Sequence, residues 1–93
     1  MAVGILDVDL YFSGCGSLKS KRKILRSIID RIKRRYNVSV AEVGFRDTWQ
    51  RRALEIAVAA DKRRNIEAVI SRITEFLRNS GDAEIISCSN EII

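Results

Sequence analysis

The hydrophobic period of this 93-residue chain switches between two values along its length, and that switching leaves few folds open. From Ala2 to Phe12 apolar residues alternate. Gly4, Leu6, Val8, Leu10 and Phe12 share one side of an extended chain, while Asp7, Asp9 and Tyr11 take the other with Val3 and Ile5. From Ser17 to Tyr36 the period lengthens. Leu18, Leu25, Ile28, Ile29, Ile32 and Tyr36 recur at three- and four-residue steps, which at about 100° per residue gathers them on one helical face. Val38 to Phe45 is valine-rich and reads as a second strand. Its facing stays open, because Val38 and Val40 lie on one side and Val43 and Phe45 on the other; a bulge would reconcile them. After a polar connection, Arg46 to Arg52, the stretch Ala53 to Ala60 alternates again, with Leu54, Ile56 and Val58 together and Glu55 opposed, and it pairs with the second strand as a hairpin. Ile66, Val69, Ile70, Ile73 and Leu77 form a second helical stripe, ending near Asn79. Ala83 to Asn90 is a fourth strand that Glu91 to Ile93 can extend.

Short polar residues punctuate these elements. Ser17 is an N-cap for the first helix, Asn37 ends it, Asp61 is an N-cap for the second, and Gly81 follows its end. The order is strand, helix, strand, strand, helix, strand. Each strand–helix–strand unit must cross over right-handed, so both apolar stripes fall on the same face of one sheet. The expected fold is α+β: a single ferredoxin-like βαββαβ domain over residues 1–93, its four-stranded antiparallel sheet covered on one face by two helices. That fold hosts many unrelated functions, so function must be argued from residues.

Charge is the first functional signal. The net charge is +5, but residues 16–52 carry twelve basic and three acidic side chains, and the remainder five basic and nine acidic. A charge imbalance of this kind favours an anionic partner met from one side, nucleic acid above all. The competing explanation is a solvated helix face with internal ion pairs, such as Asp30 four residues from both Arg26 and Arg34.

Other classes find less support. No apolar run approaches the roughly 20 residues that span a membrane, and no basic leader precedes the first apolar run, so a cytoplasmic protein without a signal peptide is expected. Cys15 in a loop and Cys88 in mid-strand match no metal spacing and predict no disulfide. The sequence contains no histidine, which removes the commonest general base. Asp7 and Asp9 alternate on a strand with no evident acidic partner. No catalytic residue, metal or cofactor is therefore expected. Acylphosphatases share the topology but need an arginine in the loop that here reads Ser13-Gly14-Cys15-Gly16.

Two stretches remain as candidates. Ser17-Leu18-Lys19-Ser20-Lys21-Arg22 opens the first helix, where free N–H groups and the positive dipole end already attract anions. Lys19, Lys21, Arg22, Lys23, Arg26, Lys33 and Arg34 are the candidate phosphate contacts of that helix. Lys21 is the odd one, since the helical wheel puts it on the buried side near Leu25 and Ile28, where it would snorkel or meet a carboxylate. Asp47-Thr48-Trp49-Gln50-Arg51 lies at the hairpin, and Trp49 with Arg51 could stack on a base or simply close the sheet edge. The open sheet face, with Asp7, Asp9, Glu55 and several alanines, is poor for the base stacking that RNA-recognition motifs use. Val3, Ile5, Ala57 and Ala59 on that face could serve a homodimer contact.

Those two stretches, with Asn37-Val38-Ser39-Val40-Ala41-Glu42-Val43 between them, resemble the YlxP-like family of small bacterial proteins, a domain of unknown function. The likeness runs from about Gly4 to Leu77. Gly44 and Phe45 stand where more polar residues are usual, and Ser20 where glutamate is frequent. The resemblance implies a ferredoxin-like fold and a translation setting, because such genes tend to lie among those for transcription-termination, initiation and ribosome-maturation factors. It brings no catalytic residues. The expectation is a non-enzymatic RNA- or ribosome-associated protein. The alternatives are a homo-oligomeric or protein-interaction module, or a small-anion sensor at the loop from Gly14 to Ser17.

Overall fold

The computed structural model describes residues 1–13, 16–44 and 50–93. The alternating stretches become strands β1 (Ala2–Tyr11), β2 (Ser39–Val43), β3 (Arg51–Ala60) and β4 (Glu84–Ile92), and the longer-period stretches become helices α1 (Leu18–Arg35) and α2 (Arg63–Arg78). The four strands form one antiparallel sheet in the order β2-β3-β1-β4. This is the ferredoxin-like βαββαβ arrangement.

Side-chain parity decides the two faces. Leu6, Val8 and Leu10 of β1 and Leu54, Ile56 and Val58 of β3 point to the helix layer and are buried. They meet Leu25, Ile28 and Ile32 of α1 and Ile66, Ile70, Ile73 and Leu77 of α2 in one core. Leu18, Ile29 and Tyr36 of the expected α1 stripe are only half-buried at its margins. Gly4 is needed where α2 docks most closely: a Cβ there would lie 2.3 Å from Ile66 Cγ2.

The register settles the facing of β2 without a bulge. Val40 pairs with Ile56 and Glu42 with Leu54, so Val38, Val40 and Glu42 turn to the helices and Ser39, Ala41 and Val43 to the open face. The sheet's register shift lies instead between β1 and β4, at Asp9 and Leu10. Ser17 caps α1 as its sequence suggests, its Oγ accepting from the Ser20 amide at 3.2 Å. Asp61 does not cap α2. β3 stays paired to Ala60, opposite Ala2, and the chain spends Asp61 and Lys62 in turning. Lys62 is left as an N-cap with no side-chain bond. Gly81, two residues beyond the cap, takes φ of +76°, a conformation that costs glycine little. No helix of the described residues is long and apolar enough to cross a membrane.

Candidate nucleic-acid interface

Four cations converge where the first half of α1 passes over the β2–β3 edge. Lys21, Arg22, Leu25 and Arg26 of α1 face Glu42 of β2, Gly44, and Arg52 of β3 across a groove of about 690 Å³. Helix periodicity puts residues 22 and 26 on one ridge, and strand parity brings Arg52 to the helix side beside Leu54.

Charge in the groove is only partly compensated. Arg52, whose side chain is 12% exposed, is held by Glu42 at 3.4 Å and by the Gly44 carbonyl at 3.4 Å. Glu42 is the one carboxylate among the described lining residues. Arg22 and Arg26 are exposed and make no ion pair with a described residue. Lys21 forms the floor. It is 2% exposed, and its Nζ donates to the Arg51 carbonyl at 3.4 Å. Lysine is almost never buried this deeply unless held. Its ammonium ties α1 to the start of β3.

The helix dipole separates the basic residues of α1 into two groups. Lys33, Arg34 and Arg35 occupy the last turn, where cations are favourable against the carbonyl end. Their presence needs no ligand. The first turn has Lys19 and no acidic residue, with Lys21 and Arg22 just beyond. Cations at the positive end of a helix are unfavourable until an anion joins them.

The structure therefore brings Lys21, Arg22 and Arg26 together and joins them with Arg52. Lys19 is exposed in the first turn, outside the groove's lining, and Lys23 and Arg34 lie with Arg26 around Asp30 on the outer side of α1. Lys33 is exposed near the far end. Arg51 goes elsewhere: its guanidinium pairs with Asp9 on the open sheet face. Trp49 and the loop residues Gly14 and Cys15 lie outside the described residues. Cys88 is a free, exposed thiol. Arg31 also has an internal role, 3.7 Å from Asp82 and over the Phe76 ring at 5.6 Å.

Sequence reasoning passed over two features. Arg52 has the same parity as Leu54, Ile56 and Val58, and that signal would have placed it under α1. Asp7, which looked unpartnered, stands directly opposite Glu55 in the β1–β3 ladder. The Glu55 carboxyl is held above its ordinary range, first by the hydrogen bond shared with Asp7, then by the Asp7 charge and by desolvation. The open face is thus acidic at its centre.

Comparison with known proteins places the chain beside others without assigned roles. The pattern of a family described as "Protein of unknown function (DUF503)" matches residues 3–90. The chain is 33% identical over 82 residues to "Uncharacterized protein YlxP" of Bacillus subtilis (strain 168), spanning 88% of this chain and 89% of that protein. Among solved structures, the de novo designed protein Foldit4 superposes with a TM-score of 0.58 at 14% identity, covering 100% of this chain and 97% of the design. The designed protein LFR1 1 with ferredoxin fold gives 0.55 at 22% identity, covering 99% and 85%. At these identities the likeness speaks of fold alone.

Proposed function

Since this chain belongs to the DUF503 family of proteins of unknown function, we propose its role chiefly from the groove: a non-enzymatic protein that binds RNA by its phosphates. The carrying observation is the pair Arg22 and Arg26, un-ion-paired among the described residues, above a buried Lys21 at the acid-free end of α1. Phosphate contacts of this kind supply affinity without reading sequence. Lys19, Lys23, Lys33 and Arg34 extend the basic track along the helix. Trp49 enters the proposal from sequence only, as an aromatic beside basic residues that can stack on a base. The groove's described lining offers cations and one carboxylate already engaged by Arg52, a set suited to holding an anion rather than to moving protons. The ribosome is the RNA that the family resemblance implies.

The test is cross-linking in a cell lysate at low salt, with sequencing of the attached RNA and fractionation of ribosomal subunits. The parent chain is expected to carry RNA, and the Arg22→Ala/Arg26→Ala variant to lose most of it. Equal, background-level recovery from both would refute the proposal. Recovery of RNA without subunit co-sedimentation would keep RNA and remove the ribosome.

A further inference from the structure

The β4 edge combines two features that fit one occupant. Among the described residues β4 pairs only with β1, so no described strand lies on its other side. Val3 and Ile93 exchange both backbone hydrogen bonds, at 3.2 and 2.7 Å. Such pairs alternate along an antiparallel ladder, so Glu91, Ser89 and Ser87 also turn their amides and carbonyls toward β1. Asn90 and Cys88 turn theirs outward. Apart from the register shift near Ile86, this edge lacks the usual protections: it has no lysine and no proline, and from Ile85 to Asn90 it is uncharged. The opposite edge, β2, is only five residues long.

The helix layer also stops short of this edge. Cys88 and Asn90 lie opposite buried Val8 and Leu6 and so project to the helix side, yet both are exposed. A groove of about 430 Å³ runs between them and a stripe of α2 that includes Glu67, Ser71, Thr74 and Arg78. The stripe runs over roughly 16 Å of helix from Glu67, which also pairs with Arg63 at 3.5 Å, to Arg78, with Ile70, Ser71, Thr74 and Glu75 between.

A two-fold axis normal to the sheet makes all of this self-complementary. It sets α2 antiparallel to its copy, Glu67 facing Arg78 of the second copy and Arg78 facing Glu67, with Ser71 and Thr74 at the centre. Placed at Ser89, the same axis pairs the outward N–H and C=O groups of Cys88 with those of Asn90 in the second copy. It also brings the Glu91 carboxylate opposite a Ser87 hydroxyl that can donate to it. We propose that the β4 edge and this α2 stripe form the interface of a two-fold dimer, which joins two four-stranded sheets into one of eight strands. The interface is isologous, as closed dimers require. The α1 groove is lined from β2, at the other edge, so both copies keep it open; the dimer stands or falls independently of RNA.

Sedimentation equilibrium of the full chain should show a monomer–dimer equilibrium. Asn90→Pro removes an outward N–H that the β1–β4 ladder does not use, and it should weaken the dimer at least tenfold while the thermal melt of dilute protein stays near the parent's. Glu67→Arg and Arg78→Glu should each weaken the dimer, and the double variant should restore it to within about threefold of the parent. If Asn90→Pro fails to fold, this charge exchange decides alone. In a Cys15→Ser/Cys88→Ser background, Ser89→Cys should cross-link across the axis on mild oxidation. Ser87→Cys should not, because its copies would stand about 13 Å apart by strand rise, beyond disulfide reach. A monomer at high micromolar concentration, a dimer indifferent to the charge reversals, or cross-linking through Ser87→Cys in preference to Ser89→Cys would overturn the proposal.

Discussion

The two helices bury stripes of identical spacing, and they differ at the first position. α2 buries Ile66, Ile70, Ile73 and Leu77; α1 buries Lys21, Leu25, Ile28 and Ile32. Where α2 begins its stripe with an isoleucine pressed against Gly4, α1 begins with a lysine held by the Arg51 carbonyl. Burying an ammonium costs desolvation that its polar contacts must offset, a cost that an isoleucine does not carry. The difference teaches that the α2 half closes by packing alone, while the α1 half closes with a polar tie beneath an arginine-lined groove.

The comparison can be broken at either helix. The largest effect is expected from Ile66→Ala, which removes a fully buried side chain packed over Gly4. It should cost about 2–5 kcal/mol by chemical denaturation. Gly4→Ala attacks the same contact from the strand side. Its Cβ would overlap Ile66, and the loss should be about 1–3 kcal/mol. Lys21→Met is expected to cost less, near 1 kcal/mol. Its apolar volume is kept, and the loss includes the donor to the Arg51 carbonyl. A loss at Lys21 as large as that at Ile66 would make the lysine a structural anchor first and a part of the groove second.

The smallest effect belongs to the open face. The Glu55 carboxyl is raised in the folded chain, so between its unfolded and folded values the native state binds more protons than the unfolded state. Stability from this group therefore falls as pH rises through that window and stays lower above it. Glu55→Gln should raise the melting temperature slightly at neutral pH, and the gain should vanish in acid, as a pH series of thermal melts will read.

Much of the fold was legible in the sequence because periodicity carries it. The six elements, the two stripes and the Ser17 cap all follow from spacing and residue type. The misplaced α2 cap came from reading Asp61 locally, when the pairing of Ala60 with Ala2 holds the strand one residue too long for it. The facing of β2 needed a register, since five short residues with valines on both sides carry no decisive alternation. The site was half legible. Lys21, Arg22 and Arg26 were visible as basic residues near a helix start. Arg52 was hidden by its place at the end of a polar connection, although its parity matched the core residues after it. Arg51 was grouped with Trp49 by adjacency in sequence, and strand alternation sends it to Asp9 instead. Glu55 and Asp7 were both seen, but only the strand register makes them neighbours.

The groove is tested most directly by the salt dependence of binding to a single-stranded oligoribonucleotide. Each phosphate neutralised contributes about −0.7 to the slope of log affinity against log salt. Arg22→Ala/Arg26→Ala should flatten the slope by about 1.4 units, while stability changes by no more than about 0.5 kcal/mol, as for exposed substitutions. Arg64→Ala/Arg72→Ala removes the same charge from exposed positions on α2 and should leave the slope near the parent's. Equal flattening by the two pairs would mean that only net charge matters, and it would contradict the assignment of binding to the α1 groove.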